Sequence, residues 1–268
     1  MRLPPNRLKA LLRDGEIALG CSLHEARDPG AIRTMACAGA DLVFIDLEHN
    51  PHGMETVVDL VAHAHGVGIT PLVRPPIVDE AWVGRLLDGG CQSLLIPRIR
   101  TPEEVQHLLE LTHYRPEGRR GLATYGGAGV AYQQVTDVGA VLRWANQELL
   151  IGVVIETPEA VEALEDILVP RLDLAVMGWG DLSHLYGVED ARHPLVQAAA
   201  QRVRDLCHRR GIAYGVFEPN VAALPSACAE GAQLLVSGGV FQFIHAGVRA
   251  ARQALDSYRP SPRRSGLG

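Results

Sequence analysis

Apolar residues in this chain gather in short runs separated by longer amphipathic stretches. The runs lie at 17–23, 42–45, 70–73, 93–96, 149–155, 172–177, 212–217 and 233–237. Each is too short for a core helix and is bounded by turn or charged residues, so each predicts a strand buried on both faces. Between them, apolar positions recur at helical spacing over 5–13, 29–38, 54–65, 79–87, 102–112, 138–145, 193–209, 221–229 and 240–257. Thr101-Pro-Glu-Glu and Thr157-Pro-Glu are strong helix starts, with a capping hydroxyl, proline in the first turn and acids beside the positive end of the helix.

Strands that alternate with helices predict a parallel α/β architecture, and eight of them fit a closed (β/α)8 TIM barrel with one extra amino-terminal helix. A barrel of this kind uses ~250 residues as one domain. The 268 residues therefore divide into one barrel domain at 1–258 and a Pro/Ser/Arg-rich tail at 259–268, expected to be disordered. A doubly wound dinucleotide fold would need GxGxxG after its first strand, and none is there. The GGAG of 126–129 follows no convincing strand and is a weak phosphate signal. The stretch 115–129, rich in Gly and Arg, has no clean period and reads as a functional loop.

Composition narrows the class. A hydrophobic content of 47% is enough for a full core, and no apolar run reaches the ~18 residues of a membrane span. Charges interrupt the first residues, so no export signal is expected and the cytoplasm is the expected compartment. The net charge of −6, with basic residues scattered among acids, argues against a nucleic-acid surface. Five cysteines in no CxxC pair predict reduced thiols, neither a disulfide frame nor a zinc site. His63, His65, His107, His113 and His208 fall on helices or helix ends and are expected in solvent.

The strands end in chemistry. Asp46, Glu48 and His49 follow strand two, Arg74 follows strand three, Glu156 strand five, Asp181 strand six and Glu218 strand seven. A barrel brings its carboxyl ends into one ring, so residues far apart in sequence would share a rim. Carboxylates without thiolate partners suit a hard octahedral cation, Mg²⁺ or Mn²⁺, and Glu156 and Asp181 are the expected ligands. Taken singly, Glu156 reads as a first-turn helix acid and Asp181 as an N-cap. Two such acids on consecutive strand ends favour the metal reading. Arg74 would stabilise developing negative charge or bind a carboxylate, and His49 would shuttle protons.

The order of motifs resembles a known family. IDLEH at 45–49, VRP at 73–75, LLDGG at 86–90, RPEGRRG at 115–121, IETPEA at 155–160 and GxGDLS at 178–183 resemble the HpcH/HpaI aldolases, metal-dependent class II pyruvate aldolases, over about residues 6–256. The resemblance implies a barrel whose last helix packs on a neighbouring subunit, in a hexamer built as a trimer of dimers. It implies metal ligation by Glu156 and Asp181, with Co²⁺ as a further option beside Mg²⁺ and Mn²⁺. It also implies a base at His49 with Asp46 beside it, an enolate-stabilising Arg74, and Asp88 entering the site of an adjacent subunit. The substrates implied are a 2-oxo acid and an aldehyde, with backbone N–H groups at Gly180 and Asp181 holding the pyruvate carboxylate. No Schiff-base lysine is needed, and the only lysine is Lys9.

Two positions depart from the family pattern. Val154 stands where the family usually has Gln, and Gly-Trp-Gly-Asp replaces Gly-Pro-Ala-Asp, bringing Trp179 to the metal loop. Both would reshape the substrate pocket. Arg119, Arg120, Tyr125 and Tyr132 are expected to select the acceptor, with Arg120 as a substrate contact. The leading expectation is cleavage of a 4-hydroxy-2-oxo acid to pyruvate and an aldehyde. The alternatives are the same enolate with another electrophile (an acid-forming synthase, a CoA-ester lyase or a cyclase), or a metal-binding barrel without catalysis.

Overall fold

A computed structural model of the chain describes residues 3–258, so the expected disordered tail lies outside the described residues. The strands are β1 (Ala18–Ser22), β2 (Leu42–Asp46), β3 (Thr70–Arg74), β4 (Ser93–Ile96), β5 (Leu150–Ile155), β6 (Leu174–Met177), β7 (Ala213–Phe217) and β8 (Leu234–Gly239). They pair in parallel in chain order, and β8 closes on β1. This is the expected TIM barrel.

Two apolar layers explain why the strand runs show no alternation. Leu42, Phe44, Leu72, Leu95, Val154, Leu174 and Val236 point inward and pack on one another. Their neighbours Val43, Ile45, Val73, Leu94, Ile155, Ala175 and Leu235 point outward into the helix layer. Both faces are covered, so apolar residues fill consecutive positions. Where the inner layer is crowded, side chains shrink: a Cβ on Gly20 would stand 2.6 Å from Leu42 Cδ1.

The amino-terminal helix Arg7–Arg13 plugs the amino end of the barrel. Leu8 and Leu12 join the inner layer. Asn6 caps the helix through Lys9 N–H and uses its Nδ2 on Gln92 O, Ser93 Oγ and Glu148 O, each at 2.9 Å. A buried amide with its hydrogens accepted fixes the plug in one orientation.

Several boundaries move in ways that matter. β2 and β3 run one residue further than their apolar cores, so Asp46 and Arg74 are strand residues and register partners. Gly238 and Gly239 belong to β8 and not to a loop after it. A short helix, Trp179–Leu185, follows β6 and begins two residues ahead of Asp181. The 115–129 stretch is irregular except where it enters the 3-10 turn Ala128–Val130. There a Cβ on Gly129 would lie 3.1 Å from the carbonyl oxygens of Leu87 and Asp88, so the glycine permits close backbone packing and the phosphate reading fails.

His113, expected in solvent, is buried, with Nδ1 2.9 Å from Thr112 Oγ1. All five cysteines are free, and no helix among the described residues is long and apolar enough to cross a membrane.

Leu8 is fully buried and Leu195 half exposed. Leu8→Ala should therefore cost about 2–5 kcal/mol in urea denaturation, whereas Leu195→Ala should cost under about 0.5 kcal/mol.

Candidate active site

The carboxyl-end rim is built on one ion pair. Asp46 and Arg74 face each other across the β2–β3 ladder. Arg74 donates Nε–H to Asp46 Oδ1 at 2.7 Å and Nη2–H to Oδ2 at 2.8 Å. Both side chains are at least nine-tenths buried. Burial opposes the charged carboxylate, but hydrogen bonds from Arg74 and Glu48 N–H, with the Arg74 charge, hold Asp46 below its ordinary pKa. Burial likewise opposes the Arg74 cation, and Asp46, Glu48 and Glu156 together raise its pKa regardless. Its guanidinium carbon lies 5.4 Å from the Phe44 ring centre.

Glu48 and Arg98 complete the rim; Glu48 was among the strand-end acids expected there, and Arg98 was not singled out from the sequence. Glu48 is buried, with Oε2 3.0 Å from Arg74 Nη1 and 3.7 Å from His49 Nε2. That oxygen has no hydrogen-bond partner of good geometry. Its Oε1 accepts from Arg98 Nε. Arg98 follows β4 with φ +55, a left-handed backbone uncommon for a long side chain. That backbone sends its N–H onto Glu156 Oε1 at 2.7 Å, while Nη2 lies 4.0 Å from Asp181 Oδ1. One residue thus links the two acids expected to hold a metal. The signal was present in Pro97-Arg98, a charged strand end of the same kind as Arg74-Pro75.

Glu156 is the buried acid of the group. Burial pushes its carboxyl up to about 7; Arg98 N–H and Arg74 oppose this, and the charges of Glu48 and Asp181 add to it. It fits only because the residue after β6 is glycine: a Cβ on Gly178 would stand 2.4 Å from Glu156 Cβ and 2.9 Å from Oε2. Gly178 is also the N-cap of the helix Trp179–Leu185, so Asp181 lies in its first turn and is not the cap that it resembled in sequence. The first bond of that helix is Leu182 N–H to Gly178 O. The N–H groups of Trp179, Gly180 and Asp181 therefore precede it and have no partner within the helix.

The other expected residues divide into two places. His49 stands at the rim, half exposed. Val154 is buried in the inner apolar layer with Phe44 and Val176, and Trp179 packs on the outer core. Asp88 and Arg120 lie at the opposite end of the barrel. Asp88 ends the helix before β4, and Arg120 Nη2 donates to its Oδ1 at 2.8 Å. Arg120 therefore does not reach the rim of its own chain, because the loop that carries it is drawn to the amino end by Asp88 and by the Tyr114 ring, 4.6 Å away.

Four carboxylates, Asp46, Glu48, Glu156 and Asp181, meet two guanidinium groups, Arg74 and Arg98, at this rim. With all of them ionised, two negative charges are left over. Burial first, and the charges of Glu48 and Asp181 after it, make the Glu156 carboxyl resist ionisation. The donor set is all oxygen and fits a hard divalent cation. Among the described residues no three His, Cys, Asp or Glu side chains stand together as a ready-made metal cluster.

A parallel eight-stranded barrel with acids, a guanidinium and an imidazole at its carboxyl ends is a TIM-barrel active site. The model of the HpcH/HpaI aldolase/citrate lyase family matches residues 24–246, and the chain belongs to that family. It is a carbon–carbon lyase of the aldolase type. It is 31% identical to a hydroxypyruvate/pyruvate aldolase of Sagittula stellata, over 88% of this chain and 92% of the relative. It is 32% identical to a 4-hydroxy-2-oxo-heptane-1,7-dioate aldolase of Salmonella dublin, over 88% of each chain. The crystal structure of an HpcH/HpaI aldolase from Desulfitobacterium hafniense superposes with a TM-score of 0.88 at 29% identity, over 94% of this chain and 98% of the other.

Because Glu156 prefers to be protonated in the folded chain, folding binds a proton between its unfolded pKa of 4.5 and its folded value of about 7. Stability should fall as pH rises through that window, by on the order of 3 kcal/mol at most. Denaturant unfolding at pH 5 and pH 8 with chelator present should show this loss, and Glu156→Gln should flatten it.

Proposed function

We propose that this chain is a divalent-metal-dependent pyruvate aldolase that cleaves a 4-hydroxy-2-oxo acid to pyruvate and an aldehyde, and runs the reverse addition. The observation that carries this reading is the all-oxygen acid group at the carboxyl-end rim, Glu48, Glu156 and Asp181, joined through Arg98 and set beside the Asp46–Arg74 pair. Glu156 and Asp181 would hold a Mg²⁺- or Mn²⁺-type ion, with Co²⁺ as a further candidate; such an ion supplies Lewis acidity to the keto oxygen of the substrate. The chain's own groups do the rest. Arg74 neutralises the charge that develops on the keto oxygen, and Asp46 and Glu48 fix it so that no reorganisation is needed as that charge appears. The N–H groups of Gly180 and Asp181 receive the substrate carboxylate. His49, half exposed beside Glu48, takes the hydroxyl proton in cleavage and returns it in addition. Val154, Phe44 and Val176 make a dry floor.

One observation favours a second reading. Val154 gives the keto group no polar contact from β5, where the family usually carries an amide. This suits a related reaction in which the same pyruvate carbanion meets a different electrophile. Purified protein with Mn²⁺ should exchange pyruvate methyl protons for deuterium and release pyruvate from 4-hydroxy-2-oxo acids. Exchange without cleavage would favour the second reading, and absence of both would leave a barrel without catalysis. Glu156→Ala and Asp181→Ala should each abolish exchange and weaken Mn²⁺ binding in calorimetry. Arg74→Lys, which loses the fork onto Asp46, should lower exchange about 10²-fold or more.

The working form is a homo-oligomer in the cytoplasm, a trimer of dimers. Its support is the last helix, Val240–Ser257, in which no residue is buried and Phe241, Phe243, Ile244, Val248 and Leu255 are exposed. An apolar stripe on that scale belongs against a second copy. Light scattering should give a hexamer mass, and the double change Ile244→Glu with Val248→Glu should dissociate it.

A further inference from the structure

Arg98 touches both of the acids expected to hold a metal. Its backbone N–H donates to Glu156 Oε1 at 2.7 Å, and its Nη2 lies 4.0 Å from Asp181 Oδ1. Its Nε is anchored on Glu48 Oε1. Among the described residues no other basic side chain comes within 4.0 Å of Asp181. A hydrogen bond to Glu48 and the Glu48 charge, with the charges of Asp181 and Glu156, raise the Arg98 pKa.

The two rim arginines are built differently. Arg74 is forked onto Asp46, backed by Glu48, and its side chain is 10% exposed. Arg98 is 52% exposed and bonded through Nε alone, so its outer nitrogens can turn about that anchor. At 4.0 Å its tie to Asp181 is too long for a hydrogen bond and is a charge attraction that a stronger cation can replace. The backbone at 98 has φ +55, which glycine would take without strain, yet the chain holds a long cationic side chain there.

We propose that Arg98 is a built-in rival of the divalent cation: its guanidinium balances Glu48 and Asp181 in the metal-free chain and yields Asp181 when the metal binds. The inference rests on the metal-dependent reading above and adds to it the residue that sets how tightly the ion is held. The guanidinium brings one positive charge to these acids and the metal brings two, so the metal displaces it and is then repelled by a cation still anchored on Glu48. Metal affinity is lowered as a result, and the acids stay ordered without the ion.

The test is calorimetric titration of the full chain with Mn²⁺ at pH 8, for the wild type, Arg98→Met and Arg98→Lys. Methionine keeps a long side chain on the same left-handed backbone and removes the charge. Arg98→Met should bind one Mn²⁺ per chain at least about tenfold more tightly than the wild type, and Arg98→Lys within about threefold of it. Glu156→Ala added to Arg98→Met should remove the tightened site. In thermal unfolding, Arg98→Met should melt below the wild type with chelator present, and Mn²⁺ should raise its melting temperature by more than it raises that of the wild type. Equal or weaker Mn²⁺ binding by Arg98→Met would overturn the proposal and leave the metal reading standing; weaker binding is what a purely structural arginine predicts. A tightened site that survives Glu156→Ala, or tightening as large in Arg98→Lys as in Arg98→Met, would overturn it too. No saturable Mn²⁺ binding by any of these chains would sink the metal reading and this inference together.

Discussion

The rim depends on a two-pronged ion pair between adjacent strands. Asp46 and Arg74 are partners in the β2–β3 register, so the ladder that closes the barrel also sets the fork of one against the carboxylate of the other. An isolated buried pair of this kind returns little net stability, because removing two charges from water offsets their attraction. Its value is in position. With Asp46 taking two donors and Glu48 lying against a third, Arg74 has little freedom to turn. The guanidinium is oriented before any substrate arrives, and Glu48 carries that order on to Arg98, and through Arg98 to Glu156 and Asp181.

The barrel was legible because its physics is repetitive. A strand buried on both faces needs an unbroken apolar run, and eight such runs with helical stretches between them leave few alternatives. The strand-end residues were legible for the same reason: a charge that closes an apolar run has to leave the core, and in a barrel all such exits meet. What sequence could not give was the partner of each charge. Arg98 looked like any residue after a proline, and its importance lies in a left-handed backbone that turns an N–H toward Glu156. Asp181 looked like an N-cap because the glycine that takes that place, Gly178, has no side chain to mark it. Arg120 was drawn to the rim in the sequence reading by the chemistry of its loop, and in space to the amino end by an acid that only the fold brings near.

The histidines show the same limit from the other side. An imidazole on an amphipathic helix reads as solvent-facing, but His113 closes the end of its helix inside the core, where Thr112 and the Leu109 carbonyl take its nitrogen. Nothing in the local pattern separates that outcome from exposure. The choice is made by the segments that pack above it, among them the Tyr114 backbone held by Asn146.

The inner apolar layer fills the barrel, and the helix that carries Leu8 and Leu12 closes its amino end beneath it. Nothing passes through such a structure, so reactant and product must share one doorway, the ring of acids and guanidinium groups above. Whichever fragment of a cleaved molecule sits nearer that doorway has to depart before the deeper one, and in the reverse direction the deeper one has to enter first. The sequence of arrivals and departures is thus set by the packed interior beneath the rim.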